Sequence, residues 1–277
     1  MKVTRKVVED PELADRLSAE ELAELLEEAL RVFRAEPQLL ELEGNALVVG
    51  DTHGDFESSR KALLEEAHLY LFLGDYVDRG LEQLKNVNFL LAKKVEQPER
   101  IYLLRGNHES PLMNYSYGFY WEVVGRYGPE IYRMYAEVFS SMPYAAILNG
   151  SAFAVHGGLA KGLRNALDVR GLRKGDIEPS DPIALQLLWN DPDESVERFA
   201  PSPRGPSIYL YGRMAVEEFL ESNGLELVVR AHEYFPEGLH DYFRGKVLSL
   251  FSCRHYPGTS PKAVLFEGKA WRSVSLT

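Results

Sequence analysis

Five short apolar runs in this chain each end in a polar turn, four of them built around glycine, and that repeated strand-to-turn pattern constrains the fold more than any other feature. The runs are Asn45 to Val49, Leu69 to Leu73, Ile101 to Leu104, Ala152 to Val155 and Leu227 to Val229. Their Val, Leu, Ile and aromatic content without alternation reads as buried strands. The turns that follow read Gly50-Asp51-Thr52-His53-Gly54, Gly74-Asp75-Tyr76-Val77-Asp78-Arg79-Gly80, Gly106-Asn107-His108-Glu109, His156-Gly157-Gly158 and Arg230-Ala231-His232-Glu233. Side chains placed just past the carboxyl ends of several strands converge in one crevice of an α/β sheet. Glycine lets the backbone turn sharply there and approach a bound group closely.

Asp51, His53, Asp75, Asn107, His156 and His232 in these turns offer enough carboxylate, amide and imidazole donors to hold two divalent cations side by side. Any one of these turns alone is more often an ordinary structural feature. Their recurrence at strand end after strand end, with side chains that are costly to bury, is what points to a site.

The chain resembles the metal-dependent phosphoprotein phosphatases that act on phosphoserine and phosphothreonine, within the wider metallophosphoesterase group. The resemblance is carried by the Gly74 to Gly80 turn and by Arg100-Ile-Tyr-Leu-Leu-Arg-Gly-Asn-His-Glu-Ser110, Tyr117-Gly-Phe-Tyr120, Met142-Pro-Tyr-Ala-Ala-Ile147, Val155-His-Gly-Gly-Leu159, Leu188-Trp-Asn-Asp-Pro-Asp193 and Phe251-Ser252. It runs from about Leu47 to about Phe266. It implies two facing mixed sheets with helices outside, an αββα sandwich, and one catalytic domain over residues 1–277. It also implies that Asp51 and His53 complete one ion's shell and that Asn107, His156 and His232 complete the other's, with Asp75 bridging. Arg204, in Ser202-Pro-Arg-Gly205, matches the family's second phosphate-binding arginine, and Tyr256 its aromatic residue on the loop over the site.

Phosphate monoesters hydrolyse so slowly in water that a catalyst must supply a strong nucleophile and neutralise developing charge. Paired divalent ions do both. Mixed Asp, Asn and His ligands suit Mn, Fe, Zn, Co or Ni, with Mn the expected metal in vitro. Arg79 offers a planar fork suited to bidentate phosphate contact, which lysine could not reproduce. Arg79, Arg204, Asn107 and Tyr256 are thus the candidate substrate-binding residues. Two ions and two arginines outweigh two aspartates, leaving a local positive excess. The whole chain carries a formal charge of −11, so recognition of an acidic substrate is expected to be short-ranged. His108, next to Asn107, is expected near the scissile bond as general acid, and the resemblance implies Asp78 as the partner that orients its ring as a carboxylate orients a triad histidine.

The overhanging loop departs from the family. Relatives typically carry Ser-Ala-Pro-Asn-Tyr-Cys where this chain has Ser252-Cys-Arg-His-Tyr-Pro257. Pro257 replaces the cysteine that some relatives offer to covalent toxins, so no adduct is expected. Cys253, the single cysteine, reads as a small apolar filler. One cysteine excludes an intramolecular disulfide and suits a reducing compartment; with no signal peptide or membrane-length apolar run in the sequence, the expected location is the cytoplasm. The acidic balance argues against nucleic acid as a partner. Sparse Asn and Gln with abundant Glu suggest a heat-adapted source.

Ser18 and Glu21 form a capping box for an N-terminal helix over about 18–36, whose apolar face is Leu22, Leu25, Leu26, Ala29 and Phe33. Further helices are expected at 57–66, 82–94, 118–126, 129–140, 183–188 and 215–222, and strands at 247–251 and 263–266. Asp191 to Pro206 reads as a surface loop edging the site. No long tail follows the last strand up to Thr277, so control is expected from a regulatory subunit or from metal supply. Two other functions compete with a protein phosphatase: a small-molecule phosphoesterase such as a dinucleoside polyphosphate hydrolase, and a non-catalytic scaffold. The His-Gly-Gly-Leu and Leu-Trp-Asn-Asp-Pro-Asp blocks favour the protein-directed branch, and a scaffold would be expected to have lost ligands or His108.

Overall fold

The structure, a computed structural model, describes residues 2–277. Its strands are β1 (Leu39–Leu42), β2 (Ala46–Val49), β3 (Leu69–Phe72), β4 (Ile101–Leu103), β5 (Ala145–Leu148), β6 (Ala152–Val155), β7 (Asp191–Pro192), β8 (Phe199–Pro201), β9 (Tyr209–Tyr211), β10 (Leu227–Arg230), β11 (Leu239–Tyr242), β12 (Val247–Leu250), β13 (Lys262–Glu267) and β14 (Ala270–Ser275). The α-helices are α1 (Val3–Glu9), α2 (Ala19–Ala35), α3 (Phe56–Ala62), α4 (Gln83–Glu96), α5 (Pro111–Tyr117), α6 (Phe119–Tyr127), α7 (Pro129–Ser140), α8 (Pro182–Trp189) and α9 (Arg213–Asn223).

One sheet has the order β14-β13-β2-β3-β4 and another the order β1-β5-β6-β10-β12-β11. β2, β3 and β4 are parallel, as are β6, β10 and β12. Strand periodicity explains the layering, because successive side chains point to opposite faces. In β2, Leu47 and Val49 join a core with α2, α4 and α7, while Ala46 and Val48 join a second core between the sheets. In β6, Ala152 and Ala154 face that same central core, while Phe153 and Val155 meet α8 and α9 residues such as Leu187 and Phe219. Buried on both faces, these strands carry apolar residues at every position. The result is the expected αββα arrangement.

The N-terminal helix begins as expected. Ser18 Oγ accepts from Glu21 N, and Glu21 Oε2 accepts from Ser18 N, closing the capping box. Its apolar stripe lies in the core against α4 and α7.

Several elements lie outside the sequence expectations. α1 and α5 are too short to show a helical period. β11 and β14 are mostly exposed edge strands without the buried apolar run that marks the others. The helix expected at 57–66 stops at Ala62, followed by a turn that leaves Leu64 exposed. The stretch expected as a loop from Asp191 to Pro206 contains β7 and β8, which with β9 form a third, three-stranded sheet. Its first residue, Asp191, is buried, because two arginines converge on its carboxylate.

β2, β3 and β4 of one sheet and β6, β10 and β12 of the other all run their carboxyl ends to the same edge of the sandwich. There the two sheets touch: Asp51 forms a parallel bridge with Phe251, and Ser252 N donates to Asp51 O at 3.1 Å.

Candidate functional site

Five side-chain-bearing residues of the strand-end turns adopt left-handed backbone: His53, Asp75, Asp78, Arg79 and His232, with φ between 42° and 70°. Such conformations cost free energy in non-glycine residues and cluster at functional sites. Contacts between the turns hold them there. Thr52 N and His53 N both donate to Asp75 O, at 3.1 and 2.8 Å, and Gly54 N donates to Tyr76 O. Glycine is required where the turns meet: a Cβ on Gly106 would lie 2.3 Å from Asp75 Oδ1, and one on Gly74 would lie 2.5 Å from Gly106 Cα. The buried Glu109 carboxylate ties the same pair, accepting from Asp75 N at 2.7 Å, Tyr76 N at 2.9 Å and Gly106 N at 2.9 Å.

A cleft of about 410 Å³ opens over these turns. Asp51, His53, Asp75, Arg79, Asn107, His108, Arg204, His232 and Tyr256 line it. The two remaining sequence-predicted residues lie just behind. Asp78 Oδ2 is 2.7 Å from His108 Nδ1, and His156 Nε2 is 2.9 Å from Asn107 Oδ1 and 3.2 Å from His232 Nδ1. Every residue predicted for the site is therefore in one constellation.

The donor set fits cations. His53 Nδ1 is 3.0 Å from Val77 O and His156 Nδ1 is 3.0 Å from Leu73 O, so each ring's proton belongs on Nδ1 and its Nε2 lone pair faces inward. His53 Nε2 then points at Asp75 Oδ2, 3.6 Å away, and Asp51 Oδ2, 3.8 Å away. His156 Nε2 points at Asp75 Oδ1, 3.4 Å away. Lone pairs facing carboxylate oxygens repel unless a cation sits between them, and Asp75 presents one oxygen to each histidine. His53, Asp75 and His108, and separately Asp75, His156 and His232, bring donor atoms within 4.8 Å of one another. The buried His232 Nε2 has no hydrogen-bond partner.

Electrostatics agree. Burial, then the neighbouring Asp51 and Glu109, pushes Asp75 well above the usual carboxylate range, and burial pushes Asp51 up to about 7. Burial holds His53, His156 and His232 below the usual histidine value, in the neutral form that ligates metals. Removing the carboxylates' charge repulsion is what a pair of divalent ions would do.

Arg79 packs its guanidinium over the Tyr117 ring at 4.3 Å. Arg204 Nε bonds Asp191 Oδ2, while Asp191 Oδ1 accepts from Arg230 Nη2 at 2.7 Å. Arg230, fully buried, is further held by Gly157 O, Glu233 Oε2 and Ser249 Oγ. Tyr256 stacks on Tyr234 with ring centroids 5.2 Å apart and lies 6.2 Å from the His53 ring.

Sequence reasoning missed the residues that support the site. Glu109 stood inside a quoted motif without a role. Asn114, whose Nδ2 donates to Asp78 Oδ2 at 3.1 Å and to His108 O at 2.6 Å, gave no signal. The Asp191 and Arg230 pair was separable only by knowing that positions 39 residues apart meet. Trp189, packed edge-on against His232 at 5.6 Å, lay unused in the Leu188 to Asp193 block.

A sheet sandwich whose parallel strand ends present paired Asp and His donors beside two arginines defines a phosphoesterase of the metal-dependent kind. Residues 44–236 match the calcineurin-like phosphoesterase family. A PP2A-like serine/threonine-protein phosphatase, PPG1, from Candida albicans is 36% identical over 230 residues, covering 79% of this chain and 54% of its own length. The chain thus spans about half the length of that curated relative. A protein serine/threonine phosphatase from Saccharomyces cerevisiae with similarity to human phosphatase PP5 superposes with a TM-score of 0.87 at 29% identity, over 94% of this chain and 90% of that one. A cold-active protein-tyrosine phosphatase from a Shewanella species shares the fold, with a TM-score of 0.62 at 15% identity over 89% of this chain and 84% of that one. The chain belongs to the calcineurin-like phosphoesterase family and, within it, to the phosphoprotein phosphatase branch.

Proposed function

We propose that the protein is a serine/threonine protein phosphatase that uses two divalent metal ions, with residues 1–277 acting as one catalytic domain. The observation that carries the reading is Asp75, whose carboxylate oxygens face the inward lone pairs of His53 and His156, one oxygen to each. Asp51 and His53 would hold one ion, Asn107, His156 and His232 the other, and Asp75 both. Bound there, the ions would supply an acidified water as nucleophile and counter the phosphate's charge. Mn, Fe, Zn, Co and Ni all suit the donors.

The protein's own groups do the rest. Arg79 and Arg204 flank the cleft with positive charge and would receive the phosphate oxygens, with Asn107 and Tyr256 completing the substrate contacts. His108 would give its proton to the serine or threonine oxygen as that oxygen leaves, and Asp78 fixes the ring's direction and stabilises its charged form. Burial and the Arg79 and Arg204 charges lower His108 below the usual histidine value. A dianionic phosphate between the arginines and the ring offsets both charges, so substrate binding itself raises the proton affinity of the acid.

Phosphoproteins are the substrate class this reading implies, a regulatory subunit is compatible with it, and the cytoplasm is the compartment the lone cysteine suits. No helix among the described residues is long and apolar enough to cross a membrane. The deciding experiment assays a phosphothreonine peptide beside a dinucleoside polyphosphate, with added manganese and with chelator. Manganese-dependent release of phosphate from the peptide supports the reading. Preference for the dinucleotide would replace it with a small-molecule phosphoesterase, and inactivity on both would leave a scaffold.

A further inference from the structure

The loop joining β12 to β13 carries Tyr256 over the cleft, and one carboxylate ties it to the opposite sheet. Arg254 donates to Asp55 through its backbone N at 2.7 Å to Oδ2, through Nε at 3.0 Å to both oxygens and through Nη2 at 2.6 Å to Oδ1. Asp55 is completely buried. It directly follows the Asp51 to Gly54 turn and also caps α3, accepting from Ser58 N at 3.1 Å and Ser58 Oγ at 2.7 Å. A single side chain thus joins a ligand-bearing turn, the start of a helix and the loop above the cleft. The two paired residues are 199 positions apart.

The rest of the loop's apex carries no ion pair among the described residues and is held by neutral hydrogen bonds, among them Thr259 N and Oγ1 donating to Tyr256 O at 3.2 and 2.8 Å. Cys253 fills a buried position beside the arginine, Tyr234 Oη donates to Pro257 O at 2.8 Å, and Ser260 N donates to Pro236 O at 2.7 Å. His255, Pro257 and Gly258 are exposed. The Tyr256 ring meets the cleft wall through ring packing, on Tyr234, edge-on against Phe251 at 5.0 Å and at 6.2 Å from the His53 ring. Two residues before it, the planar fork of Arg254 meets a carboxylate already desolvated and oriented, the geometry in which a charge-assisted pair is strongest.

We propose that Arg254 is a positioning residue: its clasp on Asp55 fixes the height of Tyr256 over the cleft and so sets how well a phosphorylated polypeptide is held. This rests on the phosphatase reading for its substrate and on geometry alone for the clasp. Without the clasp Asp55 keeps its two bonds to Ser58 and His108 keeps its bond to Asp78, so the effect is expected in substrate affinity more than in turnover.

The test uses Arg254→Ala and Arg254→Lys, alone and combined with Tyr256→Ala, in the full chain reconstituted with manganese and checked for metal content. For a phosphothreonine peptide, Arg254→Ala is expected to raise KM about fivefold to tenfold with a smaller change in kcat, and Arg254→Lys to fall between it and the wild type. Nitrophenyl phosphate, which has no chain to meet the loop, should show little of this. In the Tyr256→Ala background the Arg254→Ala effect should vanish, because the residue acts through the tyrosine. Hydrogen exchange of amides 253–260 should quicken in Arg254→Ala while α3 keeps its protection. An undiminished KM effect without Tyr256, or unchanged exchange in the loop, overturns the proposal. If the wild type releases phosphate from neither substrate, the phosphatase reading fails, and the exchange measurement still decides whether the clasp exists.

Discussion

On the side of the five-stranded sheet, Asp51, His53, Asp75, Asn107 and His108 sit in three turns that bond to one another through their own backbones and through Glu109. On the side of the six-stranded sheet, Arg204 is placed through a relay, bonded to Asp191, which is bonded to the buried Arg230. The first side stores strain locally, with left-handed backbone at four residues from His53 to Arg79, whereas the second has it only at His232 among the candidate site residues. A turn-built half is compact in sequence and depends on glycine and on backbone pairing. A network-built half depends on charged side chains being satisfied all at once, which makes it sensitive to single deletions far from the substrate.

The largest effect expected from breaking this comparison comes from the turn-built half. His53→Asn or Asp75→Asn should lower kcat by at least about 10³-fold and remove metal, as measured by elemental analysis of the same samples. Retention of both metal and turnover would remove these residues from the site. Next in size, His108→Asn should keep metal and slow hydrolysis of a phosphothreonine peptide by about 10²-fold or more, with a smaller loss on nitrophenyl phosphate, whose leaving group needs no proton. Equal losses on both substrates would refute the general-acid role.

The network-built half should respond in stability first. Arg230→Met leaves the half-buried Glu233 without its arginine and the buried Asp191 with Arg204 alone, and should cost about 3–5 kcal/mol in denaturant unfolding. An Asp191→Asn change in the same background should recover part of that loss, since it removes a buried charge that has lost one of its two partners. Fully additive losses would show that the relay is not a unit.

The smallest effect concerns Cys253. Burial pushes its thiol up to about 12 from 9.0, so in the native protein it should resist alkylation at pH 8, reacting about 10³-fold more slowly than a free thiol. Because the raised value belongs to the folded state, the stability linked to the neutral thiol is complete below pH 9 and is lost as pH climbs toward 12. Rapid labelling of native protein at pH 8 would place the residue outside the core.

Legibility in the sequence followed local content. The strands buried on both faces, the capping box at Ser18 and the turns with Asp, His and Asn were readable because each is specified within a few neighbouring residues. α7 matches its expected bounds, Pro129–Ser140, since a proline opens it and its apolar face repeats with a helical period. Short α5 and the exposed edge strands β11 and β14 carry no such repeat. β7 and β8 exist because both pair with β9, and Asp191 at the start of β7 is held inward by arginines that lie 13 and 39 positions later, so no short window of sequence contains that information.

The sequence by itself therefore determined the chemistry available: which turns bear metal-ligating donors, which arginines and which histidine accompany them, and that the strands between them are buried. Only the tertiary structure decided how those groups face one another. It set Asp75 between two inward lone pairs, put Asp78 behind His108, seated Arg204 on Asp191 and clasped Arg254 to Asp55. The physical reason is range. A turn or cap is closed by hydrogen bonds over three or four residues, whereas desolvated charge pairs form wherever the packed sheets bring them together.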